Sequence, residues 1–252
     1  MASQTELGKA FEYACVDAFY KKYCKVQEVE LEETAQMETA RKFYRGLAYK
    51  KKLDLTLAAK AAVRIIEWLE PQLKYPGNNM PLIITLQTDA EGIAGDVRDV
   101  LCIRKKNSWQ IGLSCKHNHH AVKHSRLSAT INFGKDWFGK TCSDQYFSQV
   151  VPLFTQLKVM RDESKAMGKP MLWSEIVDKF DSYYVPILKA FMEELKRIDK
   201  QYPGEIPELL IRYLIGKYDF YKVITDDRHR ATRVEAVNIG GTLNKNSDTH
   251  ET

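Results

Sequence analysis

Apolar residues recur at helical spacing near the start of the chain and again through its second half. Residues 6–23 and 58–69 carry apolar side chains every three or four positions, and the second run ends before Pro71. This pattern predicts one amphipathic helix over each range. The same patterning, or the absence of helix breakers, predicts further helices over 119–127, 144–167, 174–201 and 208–217.

Strand patterns lie between these helical ranges and near the end of the chain. Residues 81–86 are a short apolar run, and 99–103 and 109–115 are alternating runs separated by the polar turn RKKNS. They predict a strand followed by a β-hairpin. Residues 219–239 also alternate and predict a closing hairpin. Residues 131–143 predict a loop with exposed aromatic side chains.

Together the elements predict an α/β fold with a small mixed β-sheet. The sheet carries the hairpin, is flanked by helices, and is followed by a helical second half. With 252 residues, 44% of them hydrophobic, the chain can bury an ordinary core. We expect a core over residues 1–165, and a helical and C-terminal hairpin region over 166–252 within the same globule.

Acids and a lysine stand at the ends of the two hairpin strands. If the turn is centred in the middle of RKKNS, Asp99 lies opposite Ser114, and strand alternation puts Ser114 and Lys116 on one face. Phosphodiester hydrolysis uses such a pair. A carboxylate holds Mg²⁺, which polarises the phosphate and activates water, and a lysine stabilises the developing negative charge. Asp99 and Asp96 are the predicted metal ligands, and Lys116 is the predicted catalytic lysine.

A dense basic cluster overlaps the hairpin and follows it. Residues 96–126 contain seven Lys or Arg against two Asp, an excess of five positive charges, and the whole chain has a net charge of +5. A basic segment beside a metal site is typical of a track for nucleic-acid phosphates. The aromatic loop at 131–143 could add contacts to DNA. The predicted DNA-binding residues are His117, Asn118, His119, Lys123, His124 and Arg126, of which Lys123, His124 and Arg126 could equally act in catalysis.

These residues resemble a known family. The order of Asp99, a hairpin and a hydrophobic-x-Lys end resembles the PD-(D/E)XK nuclease core, and the strings GLSCKHNH and AVKHSRLS resemble the HaeIII-type type II restriction endonucleases. The likeness extends from LGKAFEYACV through WFGKTCSDQYF and VVPLF to about residue 157. The resemblance implies a restriction-endonuclease-like fold and a bacterial, Mg²⁺-dependent enzyme. Such an enzyme cuts both strands of double-stranded DNA at a short palindrome, GGCC for the founding member.

The chain departs from the PD-(D/E)XK pattern at Ser114, where that pattern has Asp or Glu two residues before the lysine. A serine hydroxyl is a poor metal ligand. Glu12 on the first predicted helix is the first candidate for the missing carboxylate, because this core often places a helix-borne Glu beside the metal. Asp89 and Glu91 are second candidates. The predicted catalytic set is Glu12, Asp96, Asp99 and Lys116, with the three acids as metal ligands.

Two other metal chemistries are weaker interpretations of the same stretch. Cys115, His117 and His119 alternate along one strand, so they do not close a tetrahedral zinc site without a partner pair elsewhere. The run KHNHH matches an HNH-type nuclease motif only in name. The five cysteines are odd in number and show no CxxC spacing, which indicates reduced and mostly buried thiols.

Location and partners follow from the same reasoning. No apolar run reaches the roughly 20 residues of a membrane span, and the N-terminus lacks the layout of a signal peptide, so a cytoplasmic protein is expected. A palindromic target implies two active sites related by a two-fold axis and therefore a homodimer, with a monomer that nicks twice as the alternative. The host would need a cognate DNA methyltransferase as a functional partner.

Two other functions remain open at this point. One is a repair nuclease with the same core but a structural rather than a sequence target. The other is a DNA-binding module with a degenerate PD-(D/E)XK site, for which Ser114 is the main argument.

Overall fold

The computed structural model describes residues 3–74, 81–88, 96–105, 108–118, 126–244 and 249–251. The chain forms two compact units, one from Met1–Lys123 with Ile215–Thr252 and one from His124–Leu214. Each unit has its own apolar core. This division differs from the expected boundary at residue 165, because the strands after residue 219 pair with the sheet of the first unit.

The first unit is built on a mixed sheet, which has seven strands within the described residues, arranged in chain order. The strands are β1 (Val29–Leu31), β2 (Leu82–Leu86), β3 (Val100–Arg104), β4 (Trp109–His117), β5 (Phe220–Asp226), β6 (Ala231–Val237) and β7 (Thr249–Glu251). β1 pairs with β2 and β4 with β5 in parallel, whereas the other neighbours are antiparallel. The predicted strand, hairpin and closing hairpin are all confirmed.

The hairpin of β3 and β4 has the register that the sequence predicts. Val100 pairs with Leu113, and the Asp99 N–H donates to the Leu113 carbonyl at 2.6 Å. Asp99 therefore stands across from Ser114, just before β3 begins. Alternation along β4 puts Ser114 and Lys116 on one face of the sheet. The centre of the predicted turn, 106–107, lies outside the described residues.

The helices of the first unit are α1 (Gln4–Tyr23), α2 (Ala35–Gly46) and α3 (Tyr49–Leu69). Ser3 and Glu6 form a capping box at the start of α1, in which each side chain accepts from the other residue's backbone N–H. α1 and α3 bury their apolar faces in one core with β2, β3 and β4, and such burial contributes roughly 25 cal/mol per Å². Both predicted helices are confirmed. α3 begins earlier than predicted because the lysines at 50–52 favour a helix without adding an apolar signal.

The helices that follow are α4 (Phe133–Phe138), α5 (Asp144–Ala166), α6 (Val185–Gln201) and α7 (Ile206–Ile215). α5 and α7 agree with the predicted helices to within two residues. The single helix predicted over 174–201 is interrupted, because a 3₁₀ turn (Trp173–Glu175) and a π turn (Phe180–Tyr184) precede α6. Pro186 lies in the first turn of α6, where a residue without a backbone N–H is tolerated.

The prediction of a loop with exposed aromatic side chains over 131–143 is wrong. Phe133 and Phe138 belong to α4 and are buried in the core of the second unit. Asn132 caps the helix by accepting from the Lys135 N–H, and Gly139 ends it with φ +69°. A side chain at Gly134 would come within 2.2 Å of the Lys140 carbonyl. In FGKDWFG, Gly134 therefore allows close packing and Gly139 forms the helix C-cap.

Two smaller expectations can also be compared with the structure. Most of the helix predicted over 119–127 lies outside the described residues, and Arg126 and Leu127 are not helical. All five cysteines are free thiols, of which Cys24 alone is exposed. Among the described residues, no helix combines the length and apolar character that crossing a membrane requires.

Candidate active site

Asp99 and Lys116 meet where β3 begins and β4 ends. Lys116 Nζ lies 3.7 Å from Asp99 Oδ2, and the same carboxylate oxygen accepts from the Cys115 N–H at 2.6 Å. The backbone bond fixes the orientation of the carboxylate, and both side chains are partly accessible. The structure thus brings together the acid and the lysine that the hairpin register predicts.

Glu12 of α1 adds a second carboxylate to this pair. Its side chain is buried at 7% exposure, and Lys9 Nζ lies 3.0 Å from its Oε2. Burial, and next the negative charge of Asp99, raises the pKa of Glu12 to about 7, although Lys9 and Lys116 act in the opposite direction. A buried carboxylate whose pKa is raised by a neighbouring carboxylate marks a site that a cation would stabilise.

Contacts at both ends of the site hold α1 against β4. Cys15 lies one helical turn after Glu12, and its Sγ is 3.8 Å from Cys115 Sγ. At the start of α1, Gln4 Nε2 donates to the His117 carbonyl at 2.5 Å. Glu12 lies between these two contacts along the helix, which explains how a residue of the first helix reaches the end of the hairpin.

Asp96, by contrast, belongs to a buried ion pair. Arg98 donates from Nε to Asp96 Oδ1 at 2.8 Å and from Nη2 to Oδ2 at 2.7 Å, and Gln87 Nε2 donates to the same Oδ2 at 2.5 Å. Both carboxylate oxygens thus already accept from protein donors. Asp96 stays a predicted metal ligand, and to bind a cation its carboxylate would have to exchange the guanidinium two residues away.

Arg98 itself was not singled out by the sequence, and it packs against Tyr218 and Gly112. Its guanidinium carbon lies 4.0 Å from the centre of the Tyr218 ring, and its side chain crosses β4 directly over Gly112. A Cβ at Gly112 would come within 2.1 Å of Arg98 Cδ. Glycine inside a strand is the sequence signal for such a close approach.

His117 and Asn118, two of the predicted DNA contacts, make polar contacts within the protein. His117 is buried at 1% exposure, with Nε2 3.0 Å from Asp227 Oδ2 and 3.1 Å from Lys51 Nζ. Burial lowers the pKa of His117 even though Asp227 opposes the shift. Asn118 is exposed, but its amide donates to Asp227 Oδ2 and accepts from the Asp227 N–H, both at 2.8 Å. These residues tie the end of β4 to the turn after β5.

The other predicted DNA contacts likewise stay predictions. Arg126 is exposed, as a phosphate contact must be. The others lie outside the described residues, as do both second candidates for a metal ligand. These residues are Asp89, Glu91, His119, Lys123 and His124.

The donor set near Asp99 fits a hard divalent cation. Among the described residues, no group of three or more His, Cys, Asp or Glu lies close enough to hold a metal ion, so a closed zinc site is not formed by them. Mg²⁺ needs only one or two protein carboxylates, since substrate phosphate and water complete its coordination. Glu12 and Asp99 supply two such carboxylates beside Lys116.

Comparison with known proteins agrees with this geometry. A model of the HaeIII restriction endonuclease family matches residues 8–252, a range that includes Glu12, Asp99 and Lys116. The chain is similar to the type II restriction enzyme HaeIII of Haemophilus aegyptius, with 35% identity over 240 residues that cover 95% of this chain and 73% of the relative. No solved structure gave a significant match.

Proposed function

The chain belongs to the HaeIII restriction endonuclease family, and we propose that it is a Mg²⁺-dependent type II enzyme that cuts both strands of double-stranded DNA at GGCC. The main support for this chemistry is that Glu12, Asp99 and Lys116 lie close together at the end of the hairpin. The target sequence is supported by the family membership alone.

The two carboxylates are the proposed metal ligands. Glu12 and Asp99 would hold Mg²⁺, which supplies polarisation of the scissile phosphate and acidification of a water molecule. Asp99 is held ready by the Cys115 N–H, so its carboxylate does not need to reorient when DNA binds. Glu12 is preorganised by its burial in α1. A cation between the two acids would favour the ionised form of Glu12.

Lys116 is the proposed catalytic cation. Asp99 holds its ammonium at 3.7 Å, and the side chain remains partly accessible. In hydrolysis the oxygen of water bonds to phosphorus, one phosphorus–oxygen ester bond breaks, and the leaving oxygen takes a proton. Lys116 would donate hydrogen bonds to the phosphate oxygens as negative charge builds on them.

The proposal extends to partners. A palindromic target favours a homodimer with one active site for each strand. An enzyme that cuts unmodified DNA in the cytoplasm implies a cognate DNA methyltransferase that protects the host genome. Arg126 and the basic residues near it are the proposed phosphate contacts.

Digestion of unmethylated phage DNA tests the proposal. With Mg²⁺ the wild-type chain should give discrete fragments, and methylation of the DNA at GGCC should prevent cutting. The variant Asp99→Asn should leave the DNA intact. Fragments that persist after GGCC methylation would contradict the target, uncut DNA that is nevertheless bound would favour the DNA-binding module, and a smear without discrete bands would favour the repair nuclease.

A further inference from the structure

The face of the sheet that carries Asp99 and Lys116 continues across the parallel neighbour β5. Ser114 is in register with Lys222, and Lys222 is in turn in register with Glu235 on β6. Residues that are in register on neighbouring strands share a face, and such strands lie about 4.8 Å apart. Lys222 is therefore one strand away from the centre of the proposed active site, on the same face.

Lys222 is a buried cation that pairs with an acid on β6, the strand on the side away from the active site. Its exposure is 8%, and Glu235 Oε2 lies 2.8 Å from its Nζ. On the side toward the active site its neighbour in register is Ser114, which carries no charge. A buried ion pair is weak evidence for a stabilising role, because desolvation of both charges opposes their attraction. The pair therefore calls for another explanation.

Ser114 gives an independent indication of a ligand at this point. Its hydroxyl is fully buried, and Oγ has no hydrogen-bond partner among the described residues. An unsatisfied buried hydroxyl is unfavourable unless a group that binds later completes it. Ser114 lies between Asp99, just before β3, and Lys222 on β5, so a phosphate bound at Ser114 could meet all three side chains.

We propose that Lys222 is a second catalytic cation, which contacts a non-bridging oxygen of the scissile phosphate, and that Glu235 positions it. Ser114 donates its hydroxyl hydrogen to the same phosphate. A neutral residue at position 114 places no acid in register with Lys222 that would compete with the phosphate for its charge. Arg233 Nη1 lies 3.8 Å from the other oxygen of Glu235, which helps to hold that carboxylate in place.

This inference rests on the proposed active site, and single-turnover cleavage of a GGCC duplex by the full chain tests both. Lys222→Met should slow cleavage about 100- to 1000-fold, as expected for the loss of one transition-state contact. Because it leaves Glu235 unpaired, this variant should melt at a lower temperature than the wild type, but its DNA affinity without metal should stay near the wild-type value. Lys222→Arg keeps the charge and the ion pair and should retain most of the cleavage. The control Lys140→Met removes an ion pair of 2.9 Å with Glu205 in the second unit and should cleave normally.

Exchange of the two charges separates a phosphate contact from a structural ion pair. The double variant Lys222→Glu with Glu235→Lys restores the pair, so a purely structural role predicts restored cleavage and would overturn the inference. A phosphate contact predicts a folded protein that still does not cut, because an acid now faces the phosphate. If Lys222→Met alone does not fold, Lys222→Met with Glu235→Leu removes both buried charges, which is often neutral or stabilising, and should be equally inactive.

Cleavage by Asp99→Asn, measured in parallel, shows whether a negative result refutes the inference about Lys222 or the proposed active site itself. If Asp99→Asn is inactive while Lys222→Met cleaves at the wild-type rate, the inference about Lys222 is wrong and the proposed site stands. If Asp99→Asn cleaves normally, the proposed site itself is wrong, and the inference built on it is overturned as well.

Discussion

Two buried glutamates, one in each unit, have opposite electrostatic surroundings. Glu12 in the first unit is 7% exposed and Glu194 in the second is 4% exposed. Burial alone would raise both pKa values. For Glu194, hydrogen bonds from Arg197 and from the N–H and hydroxyl of Ser143 outweigh burial and lower the pKa below its usual value. For Glu12, the neighbouring charge of Asp99 adds to burial and raises the pKa to about 7.

The difference distinguishes a carboxylate with a structural role from one proposed as a metal ligand. Glu194 links α6 to the N-terminus of α5 and has its donors in place within the protein. Glu12 forms an ion pair with Lys9 but faces another acid, and the two lysines near it do not offset burial and that acid, so its ionised form is left partly uncompensated. A folded protein keeps such an arrangement where a cation that arrives later supplies the missing charge.

The largest expected effect comes from breaking the acidic pair. Asp99→Asn and Glu12→Gln should each slow single-turnover cleavage about 1000-fold, near the upper range for removal of one electrostatic contact. The double variant should lose little more than either single one, because both acids serve one metal. Asp162→Asn, an exposed acid on α5 that pairs with Arg161, is the matched control and should cleave normally. Fully additive losses would argue against a shared metal.

Removal of Lys116 tests the proposed catalytic cation of the site. Lys116→Ala should slow cleavage about 100- to 1000-fold while DNA affinity measured without metal stays near that of the wild type. A gel-shift titration beside the cleavage assay checks both quantities. Equal losses in affinity and cleavage would make Lys116 a simple DNA contact.

The structural glutamate should show the reverse pattern, with a loss of stability as its main effect. Glu194→Ala removes the acceptor for Ser143 and Arg197, and we expect the free energy of unfolding to fall by about 3 kcal/mol, as for a broken buried ion pair. Urea denaturation followed by circular dichroism measures this change. The exposed Glu163→Ala on α5 should change stability by less than about 0.5 kcal/mol. A comparable loss in both variants would contradict the capping role.

The smallest expected effect is that the two glutamates change the stability of the fold with pH in opposite directions. The folded-state pKa of Glu194 lies below its unfolded value of 4.5, so its stabilisation is present above pH 4.5 and is lost as the pH falls further. The folded-state pKa of Glu12 is about 7, so without metal its ionisation destabilises the fold as the pH rises from 4.5 toward 7. The melting temperature of each variant is measured against pH in the presence of a chelator. Glu194→Gln should lack the loss of stability below pH 4.5, and Glu12→Gln should lack the loss of stability between pH 4.5 and 7. An unchanged slope in either variant would show that its pKa is not shifted in this way.

Local pattern was sufficient for the features that depend on neighbouring residues. A short polar turn fixes the register of the hairpin, and the register places Asp99 beside Lys116, so this part of the site follows from sequence. Glu12 could be chosen as a candidate through the family resemblance. The mixed sheet and the closing hairpin follow from alternation.

Burial and long-range pairing explain what the sequence did not reveal. Asp96 and His117 carry the residue types of an active site, yet Arg98 and Asp227 bind them inside the fold. Lys222 lies more than a hundred residues from Lys116 and reaches its face only through the parallel pairing of β4 and β5. The sequence pattern predicts a loop where α4 lies, because glycines that allow close packing resemble those of a loop.

That parallel pairing also sets when the enzyme can act during its own synthesis. β4 leaves the ribosome early, but its neighbour β5 follows only after the whole second unit has been translated. Since domains of nascent chains generally fold as units in the order of their emergence, the sheet face around Lys116 is completed last. A partly synthesised chain therefore lacks the edge of the proposed active site. The delay separates the start of translation from the completion of this sheet face.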